Sequence, residues 1–255
     1  MLHVERQGGV IIWTVDRPEA KNALDRATLG ALLDAVRDAA TDREVRAAVL
    51  SGAGHVFGSG GDLRELRDRH SPQDAEGLSD AGYALTSAIV EVPFPVIAAL
   101  PGPAIGGGAE LALACDMRIA DVRARIGFKQ VRMGVTTAWG TVPRLVALVG
   151  AGTAARLLYS AQEMTAAECK LVGLVDEVTE NGLARATALA WASDIALASP
   201  KAVAEMKRLL RESTATALDV RSLERQVFVD TWSGPDHRDA IEAYFERRPP
   251  KWEPR

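Results

Sequence analysis

The alternation of short apolar runs with amphipathic segments, over the first two-thirds of the chain, restricts the fold more than any other feature. Strand-like runs occur at Val10–Val15, Ala47–Leu50, Val96–Leu100 and Met117–Ala120. Helix-like segments stand between them, one beginning after Asp25 and another near Ala109. Strands that alternate with helices are typical of βαβ units with right-handed crossovers. The pattern therefore predicts an α/β fold with a largely parallel sheet.

The character of the sequence changes beyond about residue 183, where it becomes helical throughout. Ala184–Ala198 contains neither Gly nor Pro, and Ser199 followed by Pro200 is a typical helix start. Later segments carry the large apolar side chains Phe228, Trp232, Tyr244 and Phe245. We therefore divide the chain into a core domain, 1–198, and a C-terminal helical region, 199–255. The apolar faces of that region must be buried on the core or on another subunit.

Composition excludes several classes of function. The 255 residues are 47% apolar and 25% charged, which suits one large soluble domain. A net charge of −4 argues against binding to nucleic acid or acidic membranes. We expect no secretory leader, and the sequence has no run of about 18 apolar residues. Cys115 and Cys169 lack metal-ligand spacing, so we expect reduced thiols in a cytoplasmic protein without a bound metal.

Two glycine-rich stretches, Gly52–Gly61 and Gly102–Gly108, each follow a predicted strand. Phe57 stands where a dinucleotide fingerprint needs its third glycine, and the phosphate-loop pattern is absent. Either stretch could simply form a tight turn. The second also leads into a helix, whose first amide groups are unpaired and attract anions. It therefore favours a site that stabilises negative charge on a substrate oxygen.

Glu110 follows Gly107 by three positions and opens the apolar helix that begins near Ala109. A carboxylate in a first helical turn often only stabilises the helix dipole. Beside an anion-binding loop it is also a candidate general acid or base. The sequence leaves both interpretations open.

The same segments carry a family resemblance. Asp16–Leu24, Gly58–Leu63 and Ile105–Asp116 resemble the three signature blocks of the crotonase (enoyl-CoA hydratase/isomerase) superfamily. The resemblance continues, in the same order, through Gly134–Gly140, Arg144-Leu145, Ala166–Val175 and Tyr244–Pro250. It covers nearly the whole chain, and the order and spacing of the blocks make it specific.

The resemblance implies a crotonase-type spiral of ββα turns with a C-terminal helical trimerisation region, and a homotrimer or hexamer. It implies that the backbone amides of Gly61 and Gly107 form an oxyanion hole for an acyl-CoA thioester, a substrate class of fatty acid metabolism. Residues at the positions that bind the CoA moiety are Lys21, Ser59, Gly61, Asp62, Leu63, Arg64 and Gly107. No cofactor is implied, because CoA is part of the substrate.

One position departs from the pattern of the hydratases that the chain resembles. Those enzymes carry two glutamates twenty residues apart; Glu110 matches the first, and Gln130 stands at the second. An amide can orient water but cannot exchange a proton, which makes efficient hydration of ordinary enoyl-CoA doubtful.

Four functions are compatible with this substitution. The first is a hydratase-like lyase that uses Glu110 as its acid/base and Gln130 to orient water. The second is decarboxylation of a substituted malonyl-CoA of the ethylmalonyl or methylmalonyl type, which needs one proton donor, with His55 or Arg132 available for the carboxylate. The third is another acyl-CoA chemistry of the family, such as double-bond isomerisation or thioester hydrolysis. The fourth is a non-catalytic CoA- or RNA-binding protein of the same fold.

Overall fold

A computed structural model describes residues 1–66, 72–215, 239, 246–249, 251 and 253 of the chain. The strands are β1 (Leu2–Gln7), β2 (Val10–Val15), β3 (Ala47–Gly52), β4 (Val96–Leu100), β5 (Ala104–Ile105), β6 (Met117–Asp121), β7 (Arg125–Gly127), β8 (Glu163–Thr165) and β9 (Glu177–Thr179). The α-helices are α1 (Arg26–Thr41), α2 (Leu63–Leu66), α3 (Pro72–Glu91), α4 (Gly107–Ala114), α5 (Thr141–Ser160), α6 (Ala166–Leu171), α7 (Ala184–Ala196) and α8 (Pro200–Ala215).

The principal sheet of the described residues has the strand order β1-β2-β3-β4-β6-β9. Every neighbouring pair is parallel except the β1–β2 hairpin at the edge. A second sheet, with the order β5-β7-β8, lies beyond the carboxyl end of β4. The prediction of a largely parallel sheet with helical crossovers is confirmed.

The central strands are buried on both faces, which explains why they appear in the sequence as continuous apolar runs. All residues of β3 and β4 are buried. One face of the sheet packs against α1 and α3. The other face packs against α7, whose alanines at i, i+4 and i+8 allow a close approach to the strands; these are Ala184, Ala188 and Ala192.

Helix α1 begins where the sequence predicts. The side chain of Asp25 accepts a hydrogen bond of 2.7 Å from the amide of Thr28, which caps the helix. On the buried face of α1, Leu29, Leu32 and Val36 have exposures of 1% or less. The cap and the apolar face together fix the crossover that leads into β3.

Helix α8 is tied to the core by a buried lysine. The Nζ atom of Lys207 donates to the carbonyl oxygens of Ile89 and Phe94, both at 3.0 Å, and to Oδ2 of Asp116 at 2.7 Å. The predicted helical segments beyond residue 215 lie outside the described residues, as do Phe228, Trp232, Tyr244 and Phe245. The division at residue 198 and the trimer or hexamer therefore stay predictions.

Helix α5 is the one helix among the described residues that is long and apolar enough to cross a membrane. It is interrupted by Gly150, whose φ of 73° and ψ of 160° are not helical. A core helix of a soluble protein passes the same test of length and composition, so this feature is weak evidence for a membrane span.

Candidate active site

The two glycine-rich loops are joined to each other by backbone contacts. The amide of Ile105 donates to the carbonyl of Gly58 over 2.8 Å, and Gly58 forms a parallel bridge with Ala104. A Cβ atom at Gly108 would lie only 2.3 Å from the Gly58 oxygen. Glycine is therefore required for the start of α4 to lie directly on the first loop.

This contact brings Gly60, the neighbour of Gly61, close to Gly107. A Cβ atom at Gly60, whose φ is +102°, would lie 3.4 Å from the amide nitrogen of Gly107. Gly107 is the first residue of α4. The amides of Gly61 and Gly107 have no acceptor within the described parts of the chain. Their role as an oxyanion hole stays a prediction.

Glu110 projects from the first turn of α4 and is only 4% exposed. Its Oε1 atom accepts from the hydroxyl of Thr141 at 2.5 Å and from the amides of Ala138 and Trp139 at 3.2 and 3.3 Å. Its Oε2 atom accepts from Nε2 of Gln130 at 2.8 Å. The carboxylate thus has one oxygen anchored by three donors and a second oxygen with a single side-chain donor.

Gln130 begins a 3-10 turn, Gln130–Met133, that follows β7. Its Nε2 atom is occupied by Glu110, whereas its Oε1 atom is buried and has no partner among the residues that the structure describes. A buried acceptor without a partner lowers the stability of the folded protein.

Trp139 lies beside both Gly107 and Glu110. Its indole is 4% exposed and fills the gap between Gly82 on α3 and Gly107 on α4. Its carbonyl accepts from the Thr86 hydroxyl at 2.8 Å and from Nη1 of Arg144 at 2.6 Å. Burial lowers the pKa of Arg144, and the nearby Tyr83 and Glu110 oppose this shift.

The residues predicted to hold CoA occur together at the entrance to the first glycine loop. Lys21 is exposed and has a left-handed backbone with φ 52°. Ser59 donates to the carbonyl of Ala20 at 3.2 Å. Leu63 and Arg64 are exposed. Their role in CoA binding stays a prediction.

Asp62, also predicted to contact CoA, is paired with a residue that the sequence analysis did not single out. Arg17 donates to Oδ2 of Asp62 at 2.9 Å and lies 3.0 Å from Oδ2 of Asp25. The hydrogen bond from Arg17 is the main cause that holds the pKa of Asp62 below its usual value. This ion pair connects the segment before α1 to the glycine loop.

The other polar residues considered from the sequence form no hydrogen bond with Glu110 or Gln130 among the described residues. Cys115 and Cys169 are buried free thiols, and burial raises the pKa of each to about 12. Arg132 is exposed and donates to the carbonyl of Ser160 at 3.2 Å, and His55 is exposed. Across the described ranges, no group of three His, Cys, Asp or Glu residues could hold a metal ion.

The structure places Glu110 in contact with Gln130, as well as with two residues that the sequence analysis did not single out, Trp139 and Thr141. Both lie in a segment whose contacts with Glu110 depend on tertiary structure. Neither residue is a neighbour of Glu110 along one helix or strand, so a local sequence pattern could not reveal these contacts. The catalytic roles of Gly61, Gly107, Glu110 and Gln130 stay predictions.

Comparison with known proteins identifies the family. The enoyl-CoA hydratase/isomerase family model matches residues 5–255. The chain is 34% identical to 2,3-dehydroadipyl-CoA hydratase of Escherichia coli K12, with 100% of this chain and 99% of that protein covered. It is 34% identical to a short-chain-enoyl-CoA hydratase of Clostridium acetobutylicum, with coverage of 96% and 94%. A crystal structure of enoyl-CoA hydratase from Bacillus anthracis superposes with a TM-score of 0.95, at 29% identity and 98% coverage of both chains.

The chain belongs to the enoyl-CoA hydratase/isomerase family, within the crotonase superfamily. The predicted α/β crotonase fold is confirmed. Membership of this family defines the general function: the protein is an enzyme that acts on acyl-CoA thioesters.

Proposed function

We propose that this enzyme adds water to an enoyl-CoA thioester and that Glu110 is its proton-transferring carboxylate. The observation that carries the proposal is the set of four hydrogen bonds that Glu110 accepts. All four partners are donors, so they hold both oxygens of the Glu110 carboxylate in fixed positions at the start of α4.

The proposed reaction needs only one such group. The oxygen of a water molecule forms a bond to C3 of the thioester, and the π electrons move through C2 onto the thioester oxygen. The amides of Gly61 and Gly107 stabilise the resulting enolate oxygen. Glu110 takes the proton that the attacking water loses, and returns it to C2 as the enolate electrons form the new C–H bond. One hydrogen of the water molecule thus ends on C2, and the other stays in the hydroxyl group on C3.

Gln130 is proposed to position the water molecule. Its Oε1 atom is a buried acceptor without a partner in the described parts of the chain, and its Nε2 atom is fixed on Glu110. The side-chain amide of Gln130 therefore lies beside Oε2 of Glu110, the proposed proton acceptor for the water molecule. Gln130 would orient the nucleophile without exchanging a proton.

Decarboxylation of a malonyl-CoA derivative has less support. A substrate carboxylate beside the Glu110 carboxylate would experience like-charge repulsion. Arg132, a candidate partner for that carboxylate, is directed to Ser160. The names of the two relatives from Escherichia coli and Clostridium acetobutylicum, both hydratases, favour hydration as well.

We also propose the assembly that the family resemblance implies, a homotrimer or hexamer in the cytoplasm that needs no metal or redox cofactor. Light scattering at micromolar concentration would contradict the assembly if it gave a monomer.

Treatment with EDTA should leave the activity unchanged. A filter-binding assay at physiological salt should detect no RNA.

Incubation of the purified protein with crotonyl-CoA and, separately, with ethylmalonyl-CoA tests the proposed reaction. Mass spectrometry should find hydroxybutyryl-CoA from the first substrate and no loss of carbon dioxide from the second. The reverse result would establish the decarboxylase instead.

A further inference from the structure

We propose that Trp139 sets the length of the acyl group and restricts this site to short-chain thioesters. The inference rests on the proposed function, because it uses the position of the acyl carbons between the Gly107 amide and Glu110. The size of the acyl group affects substrate binding as well as turnover, so the role of Trp139 can be tested separately from hydration.

The indole occupies the space between two helices of the site. A Cβ atom on Gly82 of α3 would lie 1.9 Å from Cε2 of Trp139. A Cβ atom on Gly107 of α4 would lie 2.7 Å from Cη2 at the other end of the ring. The ring is therefore in direct contact with both backbones, and glycine at each position makes room for it.

The backbone of Trp139 is held on both sides, and its ring packs between Gly82 and Gly107, which together keep the indole in this gap. Its amide donates to Oε1 of Glu110 at 3.3 Å. Its carbonyl accepts from Thr86 at 2.8 Å and from Arg144 at 2.6 Å. A side chain fixed in this way acts as a rigid wall rather than an adaptable one.

The position of this wall determines which substrate atoms meet it. In the proposed binding mode, the thioester oxygen of the substrate lies on the Gly107 amide, and its C3 atom lies near Glu110. Trp139 contacts both of those residues, so carbons beyond C3 approach the indole. A long acyl chain would need the volume that the ring already fills, and overpacking of a dense interior is unfavourable.

The test measures binding of saturated acyl-CoA thioesters, which cannot be hydrated. Butyryl-, hexanoyl-, octanoyl- and decanoyl-CoA are titrated by calorimetry into the wild-type protein and into Trp139→Ala. We expect wild-type affinity to fall from butyryl- to decanoyl-CoA, and the variant to bind decanoyl-CoA more tightly than the wild type by at least about tenfold. The corresponding enoyl-CoA series should show the same shift in kcat/KM.

Two further variants make the result interpretable. Trp139→Phe, which retains an aromatic ring of smaller size, should give an intermediate preference, and it replaces the alanine variant if that protein does not fold. Trp191→Ala removes an indole on α7, on the opposite face of the sheet, and should leave the chain-length preference unchanged.

The same dependence on chain length in the wild type and both Trp139 variants would overturn the proposal, as would a uniform loss of affinity at every length. A shift in binding preference without any hydration of enoyl-CoA would contradict the proposed reaction and leave the size restriction intact.

Discussion

The side-chain amide of Gln130 donates a hydrogen bond of 2.8 Å to Oε2 of Glu110, across a separation of 20 residues in the sequence. An amide and a carboxylate form a stable pair in this geometry, since one is a donor and the other only an acceptor. In the proposed mechanism, Glu110 transfers the proton and Gln130 has a positioning role.

Gln130→Glu should increase the hydration of crotonyl-CoA. The new carboxyl group would face Glu110 at hydrogen-bond distance, and two carboxyl groups so close share a proton. The site would then have a second group able to transfer a proton, an effect worth up to about 10²–10⁴-fold in rate. Steady-state kinetics of crotonyl-CoA hydration provide the measurement.

The matched control is Gln162→Glu, which adds the same charge at an exposed position. It should leave the hydration rate unchanged. Equal rates in the wild type and in Gln130→Glu would show that Gln130 serves only the local structure.

Thr141→Val should reduce kcat with little change in KM. Thr141 is 2% exposed and supplies the shortest hydrogen bond to Glu110, at 2.5 Å, so valine keeps the volume and removes only the donor. A hydrogen bond to a charged group contributes about 1.5–3 kcal/mol, which corresponds to a loss of roughly 10- to 100-fold. Thr141→Ser should retain most of the activity. A valine variant with the kcat of the wild type would exclude the positioning role.

Gly108→Ala should lower both the melting temperature and kcat/KM. The added methyl group would lie 2.3 Å from the Gly58 carbonyl oxygen and would separate the two glycine loops. Overpacking of this kind costs about 1–3 kcal/mol. In contrast, Gly30→Ala on α1 meets no atom within 4 Å and should stabilise the protein slightly. Calorimetry would contradict this account if the two variants melted alike.

The ion pair between Arg17 and Asp62 should make stability depend on acid pH. The pKa of Asp62 is lowered, chiefly by the hydrogen bond from Arg17, from an ordinary value of 3.8. Below that value the unfolded chain binds a proton that the folded protein does not, so stability falls as the pH falls through the folded pKa. The contribution is fully present above the ordinary value.

Melting temperatures measured from neutral to strongly acid pH should therefore converge for the wild type and Arg17→Met at the acid end. The control is Arg6→Met, which breaks the more exposed pair with Asp42 and should change stability little at any pH. A constant difference between the wild type and Arg17→Met across the range would refute the role of this pair.

The sequence predicted the central sheet well because its signals are local. Strand β4 has the predicted bounds, Val96–Leu100, since prolines stand on either side of a fully buried apolar run. Strand β1 was not predicted. Its residues Leu2–Gln7 are mostly exposed and polar, and it forms a strand because β2 offers a free edge.

The candidate site was predictable only in part. Glu110 stands within one helix turn of the glycine loop that contains Gly107, whereas the pairing of Gly61 with Gly107 was implied by the family resemblance. The contacts of Thr141 and Trp139 with Glu110 join positions 31 and 29 residues apart. They depend on how the chain returns after β7 and begins α5, which no local periodicity specifies.

Oxygen-isotope incorporation tests the central claim most directly. Crotonyl-CoA is incubated with the protein in ¹⁸O-labelled water, and the hydroxybutyryl-CoA product is examined by mass spectrometry. We predict one ¹⁸O atom at C3 with the wild-type protein and a rate lower by about 10²–10⁴-fold with Glu110→Gln. Glu91→Gln, an exposed change on α3, should behave like the wild type. Absence of label with the wild-type protein, or full activity in Glu110→Gln, would contradict the account.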